Sequence, residues 1–350
     1  MHEAKAAVSS LPSDDGNVDR LVEEFLETTG VRQNRDMLKE IVLTTLAFVR
    51  EDSNRLDLKI ARSAMSEMAE AFKVFAPYRD VPKVTMFGSA RTAPSDAMYT
   101  LARELAHALA DAGYMLVTGA GPGIMAAGAE GAGRDMTIGV NIRLPFESVS
   151  PTYYEAGDKL VEMKYFFTRK LMLMKESRGF LVLPGGFGTL DECFELLTLL
   201  QTGKAEPAPV VLIDTPGDRY WESWQEFVAG QVYARGLADQ LDGALYRITD
   251  NVETAISELL GFHRNYHSRR FVGDTMVIRL RHAPDDQSLR VLSAAFSDIC
   301  SDRGIWRSAA LPVERQNRDA LEFDRVALEF DMRHNGRLRQ LIDALNRYDV

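Results

Sequence analysis

Apolar residues recur along this chain in two rhythms. From 17 to 80 they fall at three- and four-residue spacing, which predicts helices over about 17–29, about 33–51 and from Ser53 onward. The second groups Leu38, Ile41, Val42, Leu46 and Val49; the third groups Ile60, Ala64, Met68, Phe72 and Phe75. Gly30 stops the first helix, and Pro77 and Pro82 mark the end of this helical extension. From Lys83 the rhythm changes to short apolar runs separated by helical stretches. Strands are expected at 84–87, 114–118, 137–142, 180–183 and 209–213. Helices are expected from Pro94 to about Ala110, on to about Ala132, and over 164–177, 189–202, 219–235 and 251–262. Runs without polar alternation are strands covered on both faces, so this part reads as α/β, a parallel sheet with helices on both faces. Beyond about Asn265 the pattern changes again. Residues 274–281 set Met276, Ile278 and Leu280 at alternate positions, as a half-exposed strand does. A helix near 286–302, strands near 305–312 and 325–331 and a helix near 335–347 complete a small α+β, ferredoxin-like domain. The expected division is a flexible tail 1–16, a helical extension 17–80, an α/β domain 81–264 and the small domain 265–350.

Composition narrows the function classes. A hydrophobic share of 46% and a charged share of 26% are those of a globular protein. The net charge of −10 argues against a general binder of nucleic acid or of anionic membrane, both of which call for a cationic excess. Cys193 and Cys300 are the only cysteines, too few for a disulfide framework and consistent with a reducing compartment. No apolar stretch is long enough to span a bilayer, and the first residues lack an apolar signal core. A soluble, cytoplasmic protein is the expectation.

Candidate chemistry centres on residues 179–204. An apolar strand ends at Pro184; Gly185, Gly186 and Gly188 then allow a tight turn and close ligand approach. Thr189 is expected as the N-cap of the next helix, with Glu192 completing a capping box. A glycine turn feeding a helix start is an anion site, because free N–H groups and the helix dipole point the same way. An ordinary strand–turn–helix connection is the plainer alternative. Gly119, Gly121 and Gly123 also follow a strand and open a helix, but Ile124 stands where a dinucleotide fingerprint has its third glycine. The next strand ends at Asn141 rather than at an acid, which counts against NAD. No Walker lysine, H-E-x-x-H or G-x-S-x-G occurs. Cys193 reads as a packed thiol, and His263 with His267 offers only a weak metal pattern. Arg169 and Lys170 lie on a helix with a wide apolar face, close to the core. An arginine there can clamp a phosphate-bearing substrate or simply pair with a nearby acid.

Three segments together carry a resemblance: Gly119-Ala-Gly-Pro-Gly-Ile-Met125, Phe167-Thr-Arg-Lys170 and Pro184-Gly-Gly-Phe-Gly-Thr-Leu-Asp-Glu192. In this order they resemble the signatures of the LOG ("Lonely guy") family of nucleoside 5′-monophosphate phosphoribohydrolases, often mislabelled lysine decarboxylases. The resemblance covers about 84–260, so the chain is an extended form with extra N-terminal helices and a C-terminal domain. It implies a Rossmann-like fold over 81–264, serving as the nucleotide-binding catalytic domain, and a homodimer or higher homo-oligomer. It implies hydrolysis of the N-glycosidic bond of AMP or an N6-substituted AMP, with Arg169 and Glu192 catalytic. Gly185, Gly186, Gly188 and Thr189 would hold the 5′-phosphate. Gly88, Ser89, Gly119, Gly121, Met125 and Lys170 would line the rest of the substrate site. No cofactor or metal is called for, and no nucleic-acid or membrane partner is expected. The alternative is a non-catalytic nucleotide or molybdenum-cofactor binding protein of the same superfamily. Where the family often has a third consecutive glycine, this chain has Ala120.

Overall fold

The computed structural model describes residues 15–50, 53–143 and 159–348. The expected tail lies almost wholly outside the described residues. The chain divides into two compact units, one up to Ser66 and one from Glu67 onward. In the first, helices α1 (Asp15–Thr28) and α2 (Arg35–Arg50) are followed by α3 (Arg55–Phe75), whose last turns belong to the second unit. Lys39 ties α2 to α1 through Asp19 at 2.6 Å and Glu23 at 3.0 Å, and Val22 and Leu26 are buried.

The second unit is built on a seven-stranded parallel sheet. Its strands are β1 (Lys83–Phe87), β2 (Met115–Thr118), β3 (Thr137–Ile142), β4 (Leu160–Met163), β5 (Gly179–Val182), β6 (Val210–Ile213) and β7 (Arg247–Thr249). Their spatial order is β4-β3-β2-β1-β5-β6-β7. The short edge strands β4 and β7 escape the sequence reading, because neither is a continuous apolar run. Helices α4 (Ala97–Asp111), α5 (Ile124–Ala132) and α9 (Val252–Gly261) cover one face, burying Leu105, Ile124 and Leu259 against Met86, Leu116, Leu181 and Val211. The other face carries α6 (Phe166–Lys175), α7 (Phe187–Gln201) and α8 (Tyr220–Phe227). There Met172, Leu196 and Trp221 pack on Val117, Val140, Phe180 and Leu212. A π-helical turn, Val228–Tyr233, continues α8 where one regular helix to 235 was expected.

The second sheet is antiparallel, in the order β10-β11-β9-β8, formed by β8 (Tyr266–Val272), β9 (Thr275–Leu280), β10 (Cys300–Arg307) and β11 (Asp324–Phe330). Helices α10 (Asp286–Ala295), α11 (Pro312–Asn317) and α12 (Asn335–Leu345) accompany it. This is a ferredoxin-like arrangement in which the edge strand beside β9 comes from the start of the domain, as β8, rather than from its end. The expected half-exposed strand is corrected: Met276 to Leu280 are all buried, because Met276, Ile278 and Leu280 face the apolar core and acids of α11 and the loop after it cover the other face at Arg279. Its polar member, Arg279, is buried too, against Glu314 and Asp319, each at 2.7 Å. Helix α10 also ends earlier than expected; Phe296 and Ile299 turn into the core instead. Buried arginines join this sheet to the first. Arg269 donates to the carbonyls of Gly203 and Ala205 just past α7, and Arg339 pairs with Glu258 on α9.

Candidate active site

The order of the large sheet reverses at β1, which pairs with β2 on one side and β5 on the other. Loops leaving the carboxyl ends of two such strands run apart and leave a crevice, the usual ligand site of open α/β sheets. Here those loops are Gly88-Ser89 after β1 and Pro184-Gly185-Gly186 after β5. Ser89 N–H donates to the Pro184 carbonyl at 3.1 Å, and Ser89 in turn accepts from Ile124 N–H at 3.0 Å. The turn after β2 closes over the same place. Gly123 has φ +66°, and a Cβ there would lie 2.3 Å from the Ser89 carbonyl. At Gly88 a Cβ would strike the Ile124 side chain at 2.6 Å. Ile124, out of place in a dinucleotide fingerprint, is thus the residue that packs on Gly88. Ala120 has φ +56°, in the left-handed region that glycine adopts more easily, and its N–H donates to the Thr118 hydroxyl at 3.1 Å.

Helix α7 begins two residues earlier than expected. Gly186 is its N-cap, and no side chain caps it. The expected N-cap Thr189 and its capping box with Glu192 are therefore corrected. The two extra helical residues carry Thr189 into the first turn, where it is buried, and Glu192 one turn further. Without a side-chain cap, first-turn N–H groups remain available to an anion. A Cβ at Gly185 would meet the Thr189 hydroxyl oxygen at 2.2 Å. A Cβ added at Gly186 or Gly188 would meet no packed atom within 4 Å, so internal packing does not require glycine at either.

Arg169 and Glu192 come together. The Arg169 guanidinium is buried: Nε donates to the Val140 carbonyl at 2.9 Å and Nη2 to the Gly119 carbonyl at 3.1 Å. Its Nη1 lies 3.6 Å from Glu192 Oε1. Burial lowers the arginine pKa, and Glu192 opposes that shift. Burial also raises the Glu192 carboxyl to about 7, against the pull of Arg169 and Lys170. A carboxyl poised there can exchange a proton at neutral pH. Gly119 is required sterically: a Cβ would lie 2.0 Å from Arg169 Nη2 and 2.8 Å from Met125 Sδ. Gly121 packs on Met125 as well, its Cβ position 2.5 Å from the Met125 methyl. Lys170 points to other partners, Asp191 at 2.6 Å and Glu195 at 2.7 Å, which raise its pKa. An imine-forming lysine needs the opposite shift, so Lys170 suits a role in fastening α6 to α7. Cys193 is fully buried with its thiol pushed up to about 12, as a packed thiol should be. Among the described residues no cluster fits a metal, His263 and His267 included.

Three supports escape the sequence reading. The Thr168 hydroxyl donates to Glu67 at 2.7 Å and holds the start of α6. The Tyr220 hydroxyl donates to the Gly185 carbonyl at 2.7 Å and fixes the glycine turn. Asp214, at the end of β6, accepts from Trp221 N–H at 2.9 Å and sets α8 beside that turn. Only Asp214 left a signal, an acid directly after the apolar run 210–213.

A family model described as "possible lysine decarboxylase" matches residues 122–259. A cytokinin riboside 5′-monophosphate phosphoribohydrolase of Mycobacterium tuberculosis is 31% identical over 166 residues, 45% of this chain and 82% of that protein. The chain belongs to the LOG family. A second relative of this LOG chain is a probable cytokinin riboside 5′-monophosphate phosphoribohydrolase of Oryza sativa subsp. japonica. It is 29% identical over 157 residues, 43% of this chain and 61% of the rice protein. Similar solved structures include the molybdenum cofactor carrier protein of Chlamydomonas reinhardtii, at 22% identity and a TM-score of 0.36 over 51% of the LOG chain and 98% of the carrier. DNA processing protein A of Streptococcus pneumoniae is another, at 13% identity and a TM-score of 0.36 over 51% of the LOG chain and 62% of that protein. Likeness of that degree says nothing about what this chain binds. No described helix is long and apolar enough to cross a membrane.

Proposed function

We propose that the protein hydrolyses the N-glycosidic bond of a nucleoside 5′-monophosphate, AMP or an N6-substituted AMP, releasing free base and ribose 5-phosphate. The observation that carries this reading is the Glu192 carboxyl, titrating near 7 beside buried Arg169, one turn beyond an uncapped glycine-rich helix start. The 5′-phosphate sits on the first-turn N–H groups of α7 and the Thr189 hydroxyl, with Gly186 and Gly188 allowing its close approach. Glu192 lies three residues beyond Thr189, about 4.5 Å along the helix axis, which suits the distance from phosphate toward the sugar. As the C1′–N bond breaks, positive charge develops on the ribose, and the Glu192 carboxylate stabilises it. Water then forms the new C1′–O bond, giving its proton to Glu192, which returns it to the departing base. Arg169, fixed by two backbone carbonyls, orients Glu192 and the sugar phosphate. The names of the two relatives support this reaction class. The reading includes a homodimer: Phe166, Phe167, Leu171, Phe187 and Phe194 on α6 and α7 are exposed beside the site.

The test is a panel of AMP, an N6-alkyl AMP, CMP, UMP and adenosine, with free base measured by chromatography. Base release from a monophosphate and none from adenosine supports the proposal. Tight binding of a monophosphate without release from any member would make the protein a carrier instead.

A further inference from the structure

At the opposite, amino-terminal end of the large sheet lies a second cavity, of about 460 Å³. Arg79, Lys83, Lys175 and Arg178 contribute its charge, and Phe72 and Phe75 give it an apolar wall. Glu176 is the carboxylate among its lining residues, and it pairs with Lys175 at 2.5 Å. Arg79 and Arg178 pair with no carboxylate among the described residues. Lys83 is the unusual member. Its residue is only 3% exposed, yet among the described residues its ammonium group pairs with no carboxylate. It donates to the carbonyls of Tyr78 at 2.6 Å and Val81 at 2.9 Å, leaving one of its three N–H donors unspent. Burial lowers its pKa, and neighbouring Lys175 and Arg178 lower it further, while Glu176 and Asp80 oppose them. Four cations against one carboxylate form a local cationic excess in a chain whose net charge is −10. Like charges gathered in a partly desolvated cavity repel one another, and a polyvalent anion removes that repulsion.

We propose that this cavity binds a multiply charged phosphate compound, its phosphates on Arg79, Lys83, Lys175 and Arg178 and its organic part against Phe72 and Phe75. More than one unit of negative charge is needed to balance the cations, which favours a diphosphate over a carboxylate. The volume is that of sites for small organic ligands. The catalytic glycine turn lies at the carboxyl ends of the same strands, so the two sites are separate.

The probe is inorganic pyrophosphate, titrated calorimetrically into the full-length protein. Three proteins are compared: the wild type, Arg79→Ala/Arg178→Ala and Thr189→Val. Both arginines are exposed, so the double variant should keep the wild-type melting curve. The expected result is saturable binding by the wild type, retained in Thr189→Val and at least about tenfold weaker in the double arginine variant. Equal affinity in the double variant overturns the proposal. So does loss of binding in Thr189→Val, which would assign the event to the glycine turn, and so does an absence of saturable binding at millimolar pyrophosphate.

Discussion

Replacing Gly119 by alanine isolates what holds Arg169 in place. Gly119 does not adopt a left-handed φ, so the backbone accepts alanine and the conflict is steric alone. The new methyl would lie 2.0 Å from Arg169 Nη2 and 2.8 Å from Met125 Sδ, both closer than atoms can come. The arginine must yield, and the bond it makes from Nη2 to the Gly119 carbonyl is lost. A hydrogen bond from a charged donor contributes about 1.5–3 kcal/mol. If Arg169 acts in the transition state, that loss lowers kcat/KM by about 10- to 200-fold. The assay is initial-rate base release from AMP, with circular dichroism to confirm the fold. Wild-type kcat/KM in Gly119→Ala would refute the claim that this bond fixes Arg169 for catalysis. A variant that has lost both activity and fold would refute the purely local reading of the clash.

The pH profile gives a second test. With the Glu192 carboxyl at about 7, kcat/KM should rise with pH through that value, and a flat profile between pH 5 and pH 9 would contradict the carboxylate role. The same group makes a stability prediction. Its folded pKa stands above the ordinary 4.5, so its stabilising share is complete below 4.5 and lost as pH rises through about 7. The shift of about 2.5 sets an upper bound of about 3 kcal/mol, so Glu192→Gln should resist urea better than wild type at pH 8. Gly185→Ala should raise the KM for AMP by about tenfold, because its methyl displaces the Thr189 hydroxyl from the phosphate cradle; an unchanged KM would count against that cradle. In the small domain, Glu314 is fully buried between Arg279 and Arg325, and its pKa is lowered chiefly by the Leu311 N–H and the two arginines acting against burial. Glu314→Gln should cost about 3–5 kcal/mol by urea unfolding. In the wild type the stability due to Glu314 is present above the ordinary 4.5 and should fade as pH falls through the lowered value.

The central strands and the helices between them are legible in the sequence, because strands buried on both faces are written as uninterrupted apolar runs. Edge strands β4 and β7 are not, since one side of each lacks a partner strand and polar residues are tolerated there. The buried strand β9 misleads in the other direction. Thr275 and Arg279, at every position of its other face but Val277, suggest a half-exposed strand, yet Arg279 is buried by acids on α11 and the loop after it, far along the chain. In the site, the glycines, Arg169 and Glu192 are visible as motifs. The capping box is a true spacing that the fold does not use, because α7 starts at Phe187 and puts Thr189 inside its first turn. Glu67 and Tyr220 stay hidden, since each acts through a contact that only the folded sheet creates, and Asp214 shows only as an acid closing the apolar run 210–213.

The most direct test of the account is ribose 5-phosphate formation from AMP by the wild type and by Glu192→Gln, measured side by side at pH 8. The account predicts one ribose 5-phosphate per adenine released by the wild type and a loss of at least about a hundredfold in kcat for the variant, with AMP binding retained. Turnover by Glu192→Gln at the wild-type rate would contradict it, as would a wild type that binds AMP and leaves the glycosidic bond intact.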